Sequence, residues 1–301
     1  MNRLASLLQR PRPVVAPLVL GAMSARLAQR AGFEALYLGG GSVGYDKTVT
    51  EACLNGTEMA QLALDIRAAC DLPLILDAAG GWGDAMHVRR TVRQAETAGF
   101  AAIELEDQQT PKRAHHHIGI DYPAPAEVMV AKIREAVAAR RSPDFLIIGR
   151  TNLARESLDE AITRAHAYKE AGADILFALT WDPAQLRELG RQLPAPLMFM
   201  AANSGVARLP LPLEDLHASG VRLVVDPVTP LLAMHRALRD SYAAMAAGRP
   251  DPLVGSSSDE ELAAIQETID LESLLAIERR TTPPAGQPPH VIHGSDRRSH
   301  A

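Results

Sequence analysis

A short phrase recurs four times along this chain, in which a small residue and a glycine end a helical pattern and an apolar run follows. It occurs at Ala31-Gly32, Ala98-Gly99, Ala171-Gly172 and Ser219-Gly220. A glycine at that place supplies the left-handed residue that commonly ends a helix. The apolar runs are too short for helices and nearly uninterrupted, which is typical of parallel strands covered on both faces. The phrase therefore predicts repeated helix-to-strand units.

The remaining apolar runs raise the number of predicted strands to about eight, with further runs at Val14–Leu18, Pro73–Leu76, Phe145–Ile148 and Pro196–Met200. Helical patterns separate the strands, at Ser24–Ala31, Thr57–Ala69, Met86–Ala98, Ala126–Ala139, Leu158–Ala171, Pro183–Gln192, Leu213–Ala218 and Pro230–Ala247. Strict alternation indicates a parallel sheet, and eight units predict an α/β fold with a closed (β/α)₈ TIM barrel over residues 1–250. An open doubly wound sheet is the alternative. It is weakened because no Gly-x-Gly-x-x-Gly motif opens the first helix after a strand.

The chain continues beyond the eighth unit. Residues 251–280 are predicted to form a linker and one amphipathic helix, the helix covering 259–277. The tail 281–301 is rich in Pro, Gly, His and Ser, and we expect it to be disordered.

Composition excludes several classes of function. A net charge of −5 and 4% aromatic residues disfavour nucleic acid as a partner. Two cysteines, Cys53 and Cys70, make neither a zinc motif nor a disulfide scaffold. Since no long apolar segment or leader pattern is evident, we expect no membrane span and a cytoplasmic location.

One stretch changes abruptly from an apolar strand to dense ionisable chemistry. Ile103 to Leu105 lead directly into Glu106, and the following loop carries Lys112, Arg113, His115, His116 and His117. In α/β barrels such loops at the carboxyl ends of strands carry the chemistry. We predict Lys112, Arg113, His115 and His116 as catalytic groups that bind an anionic substrate and move protons. A charged surface loop, or an adventitious metal site at the histidines, is the alternative.

Other strand ends complete the candidate site. Asp77 follows the third predicted strand, and with Glu106 it is expected to hold a hard cation such as Mg²⁺ through carboxylate oxygens and water. Predicted substrate-binding residues are Tyr37, the backbone of Gly39, Gly40, Gly41 and Ser42, the guanidinium of Arg150, and Asn203. The alternatives are a flexible turn for the glycines, a loop hydrogen bond for Asp77 and a structural salt bridge for Arg150. Asp226, after the eighth strand, is either a site residue or a helix cap.

These residues resemble the isocitrate lyase/phosphoenolpyruvate mutase superfamily, in particular its short 2-methylisocitrate lyase-like branch, over roughly residues 3–245. The matching segments are Met23-Ser-Ala-Arg-Leu-Ala28, Ala31-Gly-Phe33, Asp77 with Gly81-x-Gly83, Val88-Arg-Arg-Thr-Val92, Glu106-Asp-Gln108, Pro111-Lys-Arg113, Met129-Val-x-Lys-Ile-Arg134 and Arg150-Thr151. The resemblance implies a barrel whose terminal helix is exchanged between subunits, commonly in a homotetramer built as a dimer of dimers. It also implies Mg²⁺ bound directly at Asp77 and enolate chemistry on a 2-oxo acid unit.

The chain departs from this family pattern at several positions. The lyase motif Lys-Lys/Arg-Cys-Gly-His reads Lys112-Arg-Ala-His-His116, so the proton-donating cysteine is absent, and His115 or His116 is a hypothetical replacement. The second aspartate of the metal motif is Ala79, which predicts weaker metal binding. The acidic residue expected before the third helix is Asp46 or Glu51.

Three functions follow from this sequence. The first is a carbon–carbon lyase or decarboxylase acting on a small 2-hydroxy or 2-oxo carboxylic acid through a Mg-stabilised enolate. The second is an oxaloacetate hydrolase or a phosphonomutase-like enzyme. The third is a degenerate, non-catalytic barrel that binds a metabolite.

Overall fold

The computed structural model describes residues 3–194 and 196–282. Its strands are β1 Val14–Pro17, β2 Leu36–Leu38, β3 Leu74–Asp77, β4 Ala102–Glu106, β5 Leu146–Thr151, β6 Ile175–Ala178, β7 Leu197–Met200 and β8 Val221–Asp226. Its α-helices are α1 Arg3–Leu7, α2 Ala22–Arg30, α3 Gly40–Asp46, α4 Gly56–Ala69, α5 Ala85–Thr97, α6 Ala126–Ala139, α7 Leu158–Glu170, α8 Pro183–Gln192, α9 Leu213–Ala218, α10 Thr229–Ala246, α11 Ser258–Thr268 and α12 Leu271–Thr281.

The eight strands form one parallel sheet in the order β1-β8-β7-β6-β5-β4-β3-β2. The sheet closes between its first and last members, since Leu18 pairs with Tyr37 and the Val19 amide donates to the Tyr37 carbonyl at 2.9 Å. The predicted (β/α)₈ TIM barrel is therefore confirmed.

The recurring glycines have the predicted backbone conformation. Gly32, Gly99, Gly172 and Gly220 have φ values of 91°, 87°, 105° and 82°. This left-handed conformation lets each chain segment turn from a helix into the next strand.

Two apolar layers hold the barrel together. One lies between the strands and the surrounding helices, and the other fills the barrel interior. At the amino ends of the strands, Leu4, Leu7 and Leu8 pack with Val14 and Leu146 in the interior layer, so α1 covers that end. The sequence analysis had not predicted α1.

The described chain divides into two compact units, at residues 1–253 and from residue 254 onward. In the second unit, the single helix predicted over 259–277 is wrong, because α11 and α12 are separated at Ile269 and Asp270. Asp270 has φ of 56°, which interrupts the helical backbone. Of the predicted disordered tail 281–301, the part from 283 onward lies outside the described residues.

Within residues 3–194 and 196–282, none of the helices has the length and apolar character needed to cross a bilayer.

Candidate active site

The carboxyl ends of three neighbouring strands carry the centre of the site. Asp77 ends β3, Glu104 and Glu106 lie at the end of β4, and Arg150 lies near the end of β5. Alternate residues of a strand face the same side, so Glu104 and Glu106 share one face while Ile103 and Leu105 share the other. The register pairs Glu106 with Arg150.

Arg150 is already engaged by protein groups. Its Nη1 donates to Glu104 Oε1 at 2.6 Å, and its Nε donates to Asn152 Oδ1 at 2.8 Å. Glu106 Oε2 lies 3.4 Å from the same Nε, and the guanidinium carbon is 5.1 Å from the centre of the Phe177 ring. Arg150 therefore makes the structural salt bridge considered as an alternative, and any grip on a substrate would use its remaining N–H groups.

Lys112 reaches the cluster from the loop after β4. Its Nζ lies 2.9 Å from Glu51 Oε1 and makes a second, shorter contact with Glu106 Oε1. All three side chains are at most 7% exposed, so this is a buried acid–base–acid arrangement. Of the two acids considered for this position, Glu51 is in the site, whereas Asp46 is exposed.

The cluster's electrostatics follow from burial and crowding of like charges. Burial, with help from Asp77 and Glu106, raises the pKa of Glu51 to about 7 in spite of Lys112. Burial, with help from Asp77, likewise raises the pKa of Glu104 to about 8 in spite of Arg150. Burial would also raise the pKa of Glu106, but Lys112 and Arg150 outweigh it and hold that pKa at about 2.

The residues of the site fit a Mg²⁺ ion that has one direct carboxylate ligand and several bound waters. Among the described residues there is no group of three or more Asp, Glu, His or Cys side chains arranged to hold a metal. Mg²⁺ commonly uses one or two carboxylates and completes its shell with waters. Asp77 is buried, and from the described part of the chain it accepts only two backbone amides, Ala79 at 3.0 Å and Gly40 at 3.2 Å, so lone pairs remain on both oxygens. Asp77 as a sole direct ligand, with waters between the ion and other acids, is compatible with this arrangement.

The residues after β2 differ from the predicted open loop. Gly40, Gly41 and Ser42 form the first turn of α3 rather than a flexible turn, and only Gly39 precedes it. The Gly40 amide points to Asp77, and Ser42 Oγ donates to the Pro227 carbonyl at 2.5 Å. Space is also tight, because a β-carbon on Gly40 would lie 2.9 Å from Glu51.

Tyr37 lies beneath the site and is fully buried. Its hydroxyl donates to Glu104 Oε2 at 3.0 Å. Burial, together with Asp77 and Glu104, raises its pKa well above the ordinary value. This hydrogen bond holds the Glu104 carboxyl group in position, and Tyr37 does not line an open surface.

The three loop histidines have different surroundings. His115 is exposed, with the Tyr122 hydroxyl 3.2 Å from its Nδ1. His116 is half-buried, and its Nδ1 lies 2.5 Å from Asp121 Oδ1. The Nδ1 of His117 lies 2.8 Å from the Tyr45 hydroxyl of α3, so the loop contacts that helix.

Some predicted residues are outside this cluster. Arg113 and Asn203 are exposed, and neither has a hydrogen bond to the cluster within the described chain. Of the two alternatives for Asp226, a site residue or a helix cap, the contacts favour the helix cap. Its Oδ1 accepts the amides of Val228 and Thr229 at the start of α10.

The sequence analysis missed the roles of several residues, namely Glu104, Gln108, His117, Asp121 and Asn152. Glu104 had a detectable signal, since it lies two residues before Glu106 on the same face of a strand. The roles of the other four residues depend on how the loops fold over the strand ends, and no local pattern in the sequence indicates how those loops fold.

A cavity of about 280 Å³ opens beside the cluster, and Glu51, Lys112, Ala79 and Trp82 contribute to its lining. A slightly larger cavity of about 310 Å³ includes Pro73, Ala101 and Phe145, which precede strands, so it belongs to the opposite end of the barrel. Of these two cavities, the one beside Lys112 adjoins the ionic cluster, through Glu51 and Lys112.

A closed barrel with buried ionisable groups gathered at the carboxyl ends of its strands has the architecture of a (β/α)₈ enzyme. Residues 4–246 match the family described as phosphoenolpyruvate phosphomutase. The chain is 33% identical over 283 residues to 2,3-dimethylmalate lyase from Eubacterium barkeri, covering 90% of this chain and 96% of that protein. It is 39% identical over 238 residues to 2-methylisocitrate lyase from Aeropyrum pernix, covering 78% and 76%.

Among solved structures, that of phosphonopyruvate hydrolase in complex with oxalate and Mg²⁺ superposes with a TM-score of 0.80 at 25% identity. The match covers 94% of this chain and all (100%) of that one. The chain belongs to the phosphoenolpyruvate phosphomutase family, within the isocitrate lyase/phosphoenolpyruvate mutase superfamily. The predicted resemblance is thereby confirmed, and the chain is an enzyme of a superfamily that includes carbon–carbon lyases.

Proposed function

We propose that this protein is a Mg²⁺-dependent lyase or decarboxylase that breaks a carbon–carbon bond in a small 2-hydroxy or 2-oxo carboxylic acid. The observation that carries the proposal is the buried cluster of Asp77, Glu106, Lys112 and Glu51 beside an open cavity. The names of the two lyase relatives and the oxalate and Mg²⁺ of the hydrolase structure support the same chemistry.

Asp77 would hold the proposed metal directly, and Glu106 would act through water. When bound, the ion supplies a Lewis acid that stabilises the negative charge of an enolate. Because Ala79 replaces the second aspartate of the family's metal motif, we also propose that Mg²⁺ binds more weakly than in proteins that have both aspartates.

Lys112 and Glu51 handle charge and protons in the proposed reaction. Lys112 is held protonated, because the attraction of Glu106 and Glu51 outweighs burial and raises its pKa. It therefore offers a positive charge to an anionic intermediate. Glu51, with a pKa of about 7, is the carboxylate best matched to act as a base and accept a substrate proton near neutral pH.

The remaining predicted site residues complete the proposal at the edge of the cluster. Arg150 attracts a substrate carboxylate by its charge and its unused N–H groups. Arg113, His115 and Asn203 are retained as outer residues that would contact substrate only after loop movement. The amides of Gly41 and Ser42 in α3 are retained for the 2-oxo acid unit.

The first test is the change Asp77→Asn, assayed on oxaloacetate, malate and alkyl-substituted malates with Mg²⁺ and with EDTA. We expect EDTA and Asp77→Asn each to lower kcat by at least about 100-fold, the size of effect seen when one electrostatic stabiliser is removed. The matched control is Asp226→Asn, another strand-end aspartate, whose amide can still cap α10. Turnover that survives both EDTA and Asp77→Asn would remove the metal from the proposal.

Product analysis separates this function from the alternatives. Oxaloacetate decarboxylation gives pyruvate and CO₂, whereas hydrolysis gives oxalate and acetate. Metabolite binding by calorimetry, with no turnover across the panel, would favour the non-catalytic barrel.

We also propose a homo-oligomer, a dimer of dimers in which the C-terminal helices are exchanged. Apolar side chains exposed on α10 include Leu238, Tyr242 and Met245, which are 45%, 63% and 70% exposed. In the second unit, Leu262, Leu274 and Ile277 are 54%, 53% and 48% exposed. Large apolar side chains exposed along a helix, as on α10 and separately on α11 and α12, are typical of protein interfaces.

A further inference from the structure

The loop after β4 contains a histidine–aspartate pair that the family motif did not predict. His116 and Asp121 are 20% and 15% exposed at their side chains, in contrast to the exposed His115. The His116 Nδ1 to Asp121 Oδ1 distance is 2.5 Å. The Gln108 amide nitrogen contacts the same Asp121 oxygen and lies 3.2 Å from Nδ1.

The contacts determine which imidazole nitrogen holds a fixed proton. An ionised carboxylate only accepts hydrogen bonds, so Nδ1 must carry the proton that points to Asp121. The Gln108 amide then donates to Asp121 and keeps the carboxylate in place. Nε2 remains as the nitrogen that can exchange a proton, as in other histidines oriented by a carboxylate.

The charges around this pair support an acid role for His116. The charged groups around the pair are Glu106, which acts on Asp121 and His116, and His117, which acts on His116. Burial would raise the pKa of Asp121. Hydrogen bonds from His116 and Gln108, together with the charge of His116, outweigh burial and lower that pKa, so Asp121 is ionised. Gln108, which contacts both His116 and Asp121, follows Glu106 by two residues, so the pair lies beside the β4 end of the ionic cluster.

We infer that Asp121 is a positioning residue that makes His116 the acid of the reaction, in place of the cysteine that is absent at Ala114. The inference rests on the proposed lyase function. When the bond between C2 and C3 of a 2-hydroxy acid breaks, the hydroxyl proton passes to the base and C2 becomes a carbonyl carbon. The electron pair of the broken bond stays on the released carbon, which takes the Nε2 proton. The base then releases the hydroxyl proton to water and the neutral imidazole takes up one proton from water, so that both groups return to their starting states.

The test compares Asp121→Asn with Asp84→Asn. Asp84 is a matched control, because its Oδ1 lies 2.7 Å from His87 Nδ1 in an exposed pair outside the proposed machinery. For Asp121→Asn we expect kcat to fall about 10- to 100-fold with little change in KM, as for other groups that orient a reactive ligand. Asp84→Asn should match the unmodified protein in both respects.

Two further measurements make the result decisive. The double variant His116→Gln/Asp121→Asn should be no slower than His116→Gln alone, because Asp121 acts through His116. Nitrogen-15 NMR of the histidines should show the Nδ1 proton of His116 in the unmodified protein and its redistribution in Asp121→Asn. Additive losses in the double variant, or a His116 whose Nδ1 carries no fixed proton in the unmodified protein, would overturn the inference.

Failure of the proposed function has a different signature. In that case the unmodified protein turns over no acid of the panel, while NMR still tests the pair. A His116 proton that is distributed alike between Nδ1 and Nε2 in the unmodified protein and in Asp121→Asn would overturn the inference independently of turnover.

Discussion

At the scale of single residues, Glu104 shows how much ionic chemistry this barrel buries. It is fully buried, and its carboxylate accepts hydrogen bonds from Tyr37 and Arg150. Burial raises its pKa from 4.5 to about 8, and burial likewise raises that of Glu51 to about 7. In each case burial favours the protonated form more strongly in the folded protein than in the unfolded chain.

The direction of the resulting pH dependence follows from linkage. A carboxyl group with a raised folded-state pKa contributes full stability below its unfolded pKa, and this contribution is lost as pH rises towards the folded pKa. In metal-free buffer we therefore expect the free energy of unfolding to fall between pH 4.5 and pH 8. The loss is on the order of a few kcal/mol, since each pKa unit corresponds to about 1.4 kcal/mol.

The change Glu104→Gln keeps an acceptor oxygen for Arg150 and Tyr37 but removes the titration. Urea unfolding at pH 6 and pH 8 should show a smaller loss of stability in this variant than in the unmodified protein. The control is Glu135→Gln, a partly exposed glutamate paired with Arg89 on the surface. Equal losses in the two variants would contradict the role given to Glu104.

At the scale of elements, the loop between β4 and α6 is fixed at its base by α7. The Asp107 carboxylate accepts hydrogen bonds from the Tyr168 hydroxyl at 2.7 Å and from Arg164 Nη1 at 3.0 Å. Arg164 Nη1 also donates to the Ala124 carbonyl at 2.8 Å, and the Ala124 amide donates to the Asp107 carbonyl at 2.7 Å. The two ends of the loop are thus joined where they leave the barrel, and Lys112 and His116 lie on the segment between them.

Removing one of these contacts should loosen the loop more than the barrel. Tyr168→Phe deletes one hydrogen bond to a buried carboxylate, worth roughly 1.5–3 kcal/mol. We expect faster amide exchange over residues 109–123, unchanged protection of β3 and β5, and a lower kcat. Tyr242→Phe, on the exposed part of α10, is the control and should have none of these effects. Uniformly faster exchange throughout the barrel would instead indicate a general loss of stability.

At the scale of the whole molecule, the exposed apolar side chains of α10, α11 and α12 are the main argument for an oligomer. Such side chains are costly in water when they are adjacent, and burial against another copy removes that cost. The proposed oligomer would cover them.

Light scattering after size exclusion should give a mass that is a multiple of the 32.3 kDa chain. Leu274→Asp, on α12, should lower that mass, because a charge would be buried without a partner. Met86→Asp on α5, where the side chain is 70% exposed, is the control and should leave the mass unchanged. A single-chain mass for the unmodified protein would contradict the oligomer.

The sequence by itself determined the barrel and the positions of its strand ends. Four glycines with a left-handed backbone and the alternation of apolar runs with helical patterns are local signals, since each depends on a few adjacent residues. The same signals placed Asp77, Glu106 and Arg150 at neighbouring strand ends, because parallel strands present their carboxyl ends at one edge. The break at Asp270 was missed because the apolar period continues across it.

Only the tertiary structure decided how the ionic groups pair. Lys112 meets Glu51, which is 61 residues away along the chain, and Arg150 meets Glu104, which is 46 residues away. It also decided that His116 turns inward to Asp121 while His115 is exposed. Pairing of this kind depends on how loops fold over the strand ends, where burial makes unpaired charges costly, and no periodic pattern in the sequence records that arrangement.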